Sequence, residues 1–234
     1  MTQHQGAAFA HTSPFATPGA VTTRFWWVRH APVPDGGKIY GQRDLSCDCS
    51  DAAVFEALAR TLPTGSRWVT SPLKRAKETA AAILAAGHAD AGCAPELHAD
   101  FAEQSLGDWQ GLDRATFLAE RSPSLIAPWF GAVDERAPNG ESFMDLLART
   151  RRGVDDCLER HAGRDVVVVA HGGTIRAAIG HALGLTPRDM LVFTTDNCAL
   201  TRLDHIASEK ERGWRVICVN HQPWIGAKGE SKLA

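Results

Sequence analysis

The run VVVVAHGG, from Val166 to Gly173, constrains the fold more than any other stretch of the chain. Four consecutive valines between turn signals predict a strand buried on both faces, which is the situation of a strand inside a parallel sheet. A parallel sheet needs crossover helices, and amphipathic helices flank this run on both sides. GESFMDLLARTRRGVDDCLERHAG (140–163) carries Phe143, Leu147, Val154 and Leu158 on one stripe, and TIRAAIGHALGL (174–185) follows the glycines. The N-terminal half repeats the alternation. TRFWWV (23–28) predicts a first strand, and SDAAVFEALARTL predicts a helix capped by Ser50. RWVTS (67–71) is a short strand. It leads into a helix over 72–87, with Ser71 as cap and Pro72 at its first position. CALTRLDH and WRVICVN predict two late strands that pair antiparallel.

The fold class is therefore α/β: a three-layer sandwich around a mostly parallel central sheet, with helices on both faces and a late antiparallel pair. One domain is expected over 23–224, with a loop-and-helix insertion at about 101–140 lying over the sheet edge. Two short helices are expected there, in DRATFLAERSP and PSLIAPWFG. Residues 1–22 and 225–234 are expected to be flexible tails. The first 23 residues carry no Lys, Arg, Asp or Glu. They lack the basic start and apolar run of a secretory signal. No run of eighteen apolar residues exists, so no membrane span is expected.

A formal net charge of −2 gives no overall basic character for nucleic acid, and any positive site must be local. The tryptophans are accordingly read as core and pocket wall. The six cysteines include a C-x-C pair, Cys47 and Cys49, but no C-x-x-C. Zinc is a poor fit, and reduced thiols in a cytoplasmic protein are expected. The ten histidines contain no H-x-x-x-H pair on a helix, so no metal and no cofactor are expected.

Ligands of open parallel sheets bind beyond the carboxyl ends of the strands. Three predicted strands end there in chemically capable residues. The first ends in Arg29-His30, the second delivers Arg75, and the valine strand ends in His171-Gly172-Gly173. Each alone has a bland reading: polar strand end, solvated helix face, tight turn. Together they form a concentrated positive site suited to a phosphate dianion. Arginine offers a fixed fork of donors, and the helix after Gly172 adds free backbone N–H groups. Cationic neighbours would keep His30 neutral and nucleophilic.

These residues resemble the histidine phosphatase superfamily, which includes cofactor-dependent phosphoglycerate mutases and alpha-ribazole phosphatases. Arg29-His30-Ala31 is similar to its RHG signature, and TSPLKRAKETA to its SSPLxRAxxTA segment. FAEQSLGDWQG, PNGESFMDLLART and VVVVAHGGTIRA match three further segments in family order. The resemblance implies that His30 is the nucleophile, forming a phosphohistidine. It implies that Arg29, Arg75 and His171 bind the phosphoryl group, with the Gly172 backbone beside them. Glu103 would protonate the leaving oxygen and then activate water, although Glu141 and Asp108 are carboxylates of the same chemistry nearby. Glu141 and Ser142 are expected instead to cap the long helix.

The chain departs from the family's pattern at Ala31, Pro32, Val33 and Gly36; Ala31 for Gly is a small change, while the absence of the usual Thr and Asn removes two potential donors. Its loop IYGQRDLS is short, so Tyr40 and Gln42 are expected to line the substrate pocket in their own way. The short segment before the acid favours a phosphomonoester hydrolase, with a mutase-type phosphotransferase on the same site as the alternative. The expected partner is a small phosphorylated substrate, not nucleic acid or membrane; a homodimer stays open. An α/β-hydrolase reading of HGG fails for want of a G-x-S-x-G elbow downstream. A phosphate-binding module without catalysis is disfavoured because every catalytic position is filled.

Overall fold

The structure is a computed structural model, and it describes residues 19–121 and 124–225. A six-stranded sheet runs in the order β3-β2-β4-β1-β5-β6. Its strands are β1 (Val21–Arg29), β2 (Arg67–Thr70), β3 (Glu96–Leu97), β4 (Asp165–Ala170), β5 (Leu200–Ala207) and β6 (Arg212–His221). β4 pairs parallel with both β1 and β2, and β2 with β3. β5 runs antiparallel to β1 and to β6, so the late pair lies where the sequence places it. The helices are α1 (Ala52–Thr61), α2 (Lys74–Ala85), α3 (Arg114–Arg121), α4 (Phe143–Arg160), α5 (Gly172–Leu183) and the one-turn α6 (Pro187–Met190).

The valine run lies in the middle of the sheet, and Val166 to Val169 are all fully buried. Alternate valines face opposite layers. Val167 and Val169 pack with Trp26, Val28 and Trp68 against α1 and α2. Val166 and Val168 pack with Phe25 and Trp27 against α4 and α5. Each fully buried valine contributes about 1.5–3 kcal/mol relative to exposure.

Several local expectations are corrected. β1 begins at Val21, inside the stretch expected as a tail, because it pairs with β5 from there onward. Residues 1–18 and 226–234 of the expected tails lie outside the described residues. α1 is preceded by Asp51, not Ser50, and no side chain caps it. Ser50 is instead held in a turn, its N–H donating to Asp48. α2 starts at Lys74, two residues after Pro72. Ser71 does not cap it in the usual way: its hydroxyl lies beside His171. α4 starts at Phe143, and Ser142 caps it through a reciprocal box with Asp145. Glu141 takes no part in that cap. It forms a two-pronged ion pair with Arg149 at 2.9 Å. The helix expected in PSLIAPWFG does not form over residues 124–131, which run as bends. There Trp129 and Phe130 pack into two separate apolar clusters instead of one helical face.

Candidate active site

Register brings the three strand ends together. Arg29 pairs with Ala170, and the His30 N–H donates to the Ala170 carbonyl at 2.9 Å. The Ser71 N–H donates to the Val169 carbonyl at 3.1 Å. His30, Ser71 and His171 therefore leave three adjacent strands at one level. The rings of His30 and His171 lie 5.1 Å apart, and both residues are buried.

The tautomers follow from the hydrogen bonds. His30 Nδ1 lies 2.7 Å from the Ala31 carbonyl, which can only accept. Nδ1 thus carries the proton, and the Nε2 lone pair is free. Burial, reinforced by Arg75 and Arg29, holds His30 well below the usual histidine value of 6.5, so the ring stays neutral. For His171, Nε2 lies 2.7 Å from the Ser71 hydroxyl. That hydroxyl accepts the Leu73 N–H and keeps its own proton available to Nε2; with that proton donated to Nε2, Nδ1–H is the donor left to the site. Burial first, then Arg75, also keeps His171 neutral.

Arg75 is fully buried, and its guanidinium is fixed by the carbonyls of Gly41 (2.6 Å) and Arg43 (3.0 Å) with the Tyr40 ring beneath it. Arg29 donates through Nη1 to the Thr195 carbonyl at 2.6 Å. Eight buried side-chain polar atoms lack a partner among the described residues. Four of them, Arg29 Nε, Arg75 Nε, His171 Nδ1 and Thr195 Oγ1, belong to this end of the sheet. Buried donors are normally satisfied, so a cluster of unsatisfied ones implies a ligand that supplies acceptors.

Glu103 approaches from the insertion. Its carboxylate accepts the N–H groups of Gly173 (3.3 Å) and Gln104 (2.9 Å). A Cβ on Gly173 would lie 2.5 Å from the carboxylate, so the second glycine of HGG is required for this approach. The Glu103 backbone is clamped from two sides. Arg149 donates to the carbonyls of Asp100, Ala102 and Glu103. Gln42 also donates to the Glu103 carbonyl, at 2.8 Å. Gly107 sits at φ +42 with a Cβ position 1.9 Å from the Pro138 carbonyl, so the glycine of the E-x-x-x-G-D-W pattern packs the two loops of the insertion together.

A cleft of about 400 Å³ is lined by Arg29, Glu103, Gly172 and Gly173, while His30, Arg75 and His171 are buried beneath it and outside its lining. Tyr40 and Gly172 line it as expected, but Gln42 does not, its amide being committed to the Glu103 segment. Asp108 is likewise outside the lining and accepts from Asn139. The insertion forms the cleft wall through Leu106, Leu118, Trp129 and Phe130, so it covers the carboxyl edge of the sheet. Sequence reasoning missed Thr195, Asn197, Arg114 and Arg176. Asn197 donates to the His30 carbonyl at 2.7 Å. Only Arg176 had a visible signal, as the last cation of HGGTIR. All six cysteines are free. Cys47 and Cys49, 3.5 Å apart at sulfur, pack under Thr79 rather than in the cleft.

The site belongs to a known constellation. A profile of the histidine phosphatase superfamily (branch 1) matches residues 25–222. The chain belongs to the histidine phosphatase superfamily. A bifunctional protein of Mycobacterium tuberculosis is 37% identical over 49% of this chain, which spans only 30% of that protein's length. A probable phosphoglycerate mutase of Erwinia tasmaniensis is 29% identical, covering 76% of this chain and 83% of its own. Among solved structures, a mycobacterial glucosyl-3-phosphoglycerate phosphatase superposes with a TM-score of 0.70 at 27% identity, covering 86% of this chain and 99% of that one. This member of the superfamily thus resembles both phosphatases and phosphoglycerate mutases. No helix among the described residues is long and apolar enough to cross a membrane.

Proposed function

We propose that this histidine phosphatase is a phosphomonoester hydrolase that passes the phosphoryl group through His30. The observation that carries the reading is a neutral, buried His30 with a free Nε2, held beside three unpartnered donors: Arg29 Nε, Arg75 Nε and His171 Nδ1. Three donors around one nucleophile match the three equatorial oxygens of a transferring phosphoryl group.

In the first step the Nε2 lone pair forms a bond to phosphorus as the ester P–O bond breaks. The leaving oxygen takes the proton of the Glu103 carboxyl group. In the second step the Glu103 carboxylate takes a proton from water, whose oxygen attacks phosphorus. The N–P bond breaks, returning the electron pair to His30 and releasing inorganic phosphate. The fixed guanidinium groups supply the positive charge that spreads over the equatorial oxygens, so the reaction needs no metal. Substrate is a small phosphorylated metabolite, in keeping with a cleft of about 400 Å³. The phosphatase among the structural relatives covers almost its whole length, which favours water over a second hydroxyl as acceptor.

The test is chemical trapping. Brief exposure to a labelled phosphate ester should leave an acid-labile, alkali-stable label on His30. His30→Ala should carry no label and lose on the order of 10⁴-fold or more in hydrolysis of p-nitrophenyl phosphate. Near-normal turnover by that variant would end the proposal.

A further inference from the structure

The segment 193–198 leads into β5 and is tied to the site at four points. The Phe193 carbonyl accepts from Arg176 Nε at 2.7 Å, and the Thr195 carbonyl accepts from Arg29 Nη1 at 2.6 Å. Asn197 donates to the His30 carbonyl at 2.7 Å, and the Cys198 N–H donates to the Arg29 carbonyl at 2.9 Å. The segment is also anchored from its other side. The Asp196 N–H donates to Asn220 Oδ1 at 2.6 Å, and the Asp196 carboxylate accepts from Asn220 and Gln222 at 2.8 Å each. Thr195 is therefore held at a fixed place beside Arg29 and the residue that carries the nucleophilic nitrogen.

The side chain of Thr195 is not used by any of these contacts. The residue is 4% exposed, and Oγ1 has no hydrogen-bond partner among the described residues. A buried hydroxyl in that condition is costly and calls for an explanation. Its direction supplies one. A Cβ built on Gly172 would lie 3.2 Å from Thr195 Oγ1, 3.4 Å from Arg176 Nη1 and 3.5 Å from Arg29 Nε. The glycine keeps that point open, and two guanidinium groups and a hydroxyl face it. A guanidinium nitrogen only donates, so neither arginine can take the hydroxyl proton. An acceptor oxygen at that point would take it. The point also lies at the start of α5, directly after His171, whose Nδ1 is itself without a partner.

We infer that Thr195 is a further ligand of the phosphoryl group: its hydroxyl donates to the same phosphoryl oxygen as Arg29 Nε. The oxygen that stands over Gly172 thereby receives a donor from each side of the sheet end, Arg29 from β1 and Thr195 from the segment before β5. The inference rests on the phosphatase reading of this site and adds a binding residue to it. It also carries a sign. A hydroxyl kept for a ligand lowers the stability of the free protein and strengthens the bound state, whereas a structural hydroxyl stabilises both alike.

Melting of the full-length protein with and without inorganic phosphate separates the two. Thr195→Val keeps the side-chain shape and removes the hydroxyl, so without phosphate it should melt at or above the parent temperature. Its dissociation constant for inorganic phosphate, read from the rise of the melting temperature with phosphate concentration, should increase about 10- to 100-fold, the scale of a hydrogen bond to a charged group. Its kcat/KM on p-nitrophenyl phosphate should fall by a similar factor. Thr195→Ser and Thr195→Ala differ only in the hydroxyl, so they decide the question even where valine does not fit. The serine variant should recover most of the phosphate affinity, and the alanine variant should not. Unchanged phosphate affinity in the valine and alanine variants would overturn the inference, and a lowered melting temperature beside it would make the hydroxyl a structural prop. A parent that binds phosphate but does not turn over p-nitrophenyl phosphate would defeat the phosphatase reading alone, and the affinity series would still decide the role of Thr195.

Discussion

The floor and the wall of the cleft are built on different physics. His30, His171 and Arg75 stand on the ends of buried central strands or the first turn after one, and each is almost wholly hidden from solvent. Their positions are set by ladder hydrogen bonds and by a core packed on both sheet faces. The wall comes from residues 101–140, where regular structure is sparse, and it carries Leu125 at 99% exposure. What order it has near Glu103 comes from a small apolar cluster around Leu106, Trp109, Phe117 and Ala137 and from the clamp of Arg149 and Glu141. A floor of this kind dictates the bond that is broken. A wall of that kind is free to vary with what is attached to the phosphate.

The comparison can be broken most sharply at Glu103, the wall residue that joins the chemistry. Glu103→Gln should slow hydrolysis of alkyl phosphates by about 10²- to 10⁴-fold, the range of general acid catalysis, and that of p-nitrophenyl phosphate far less. Equal losses on both, read as kcat/KM, would move the acid elsewhere. Arg149→Met removes the clamp and strands the partly buried Glu141, so it should cost about 3–5 kcal/mol in denaturant unfolding. A loss under 1 kcal/mol would mean that the wall is held by other contacts.

The floor has a pH signature. The pKa values of His30 and His171 are depressed below 6.5 in the folded chain, so the unfolded chain binds more protons as pH falls below that value. Their contribution to stability is therefore complete above about pH 6.5 and is lost as pH falls through the folded pKa values. Urea midpoints across pH 4–8 would record this, and a His171→Asn variant should show a shallower fall. The acid limb of kcat/KM due to His30 should likewise lie below pH 6.5. At the other extreme, Leu125→Ser on the exposed wall should change stability by no more than about 0.5 kcal/mol by thermal melt.

How much of this was legible beforehand differs by region in the same way. The floor could be read because period and composition report burial directly: FWWV and VVVV predict central strands, and polar residues at their ends fall at the ligand edge. The wall departs from expectation at PSLIAPWFG, where the sequence suggests a short helix. In the structure Trp129 and Phe130 serve two clusters separated in space, a division that no period encodes. Gln42 and Glu141 were assigned by local analogy, to the pocket and to a cap. Gln42 is spent on Glu103, 61 residues along the chain, and Glu141 on Arg149, two turns into the helix it was to cap.

By itself the sequence determined the α/β layering, the strand ends that carry chemistry and the identity of His30, Arg29, Arg75 and His171 as one group. These depend on local burial patterns, which repeat every two or 3.6 residues and survive without knowledge of the partner segments. The tertiary structure alone decided that Asn197 holds the His30 carbonyl, that the Ser71 hydroxyl meets the ring of His171, and that Arg176 lies over Trp129. Each of those is a relation between residues 47 to 167 positions apart. Hydrogen bonds and charge balance at that separation exist only once the chain has closed on itself.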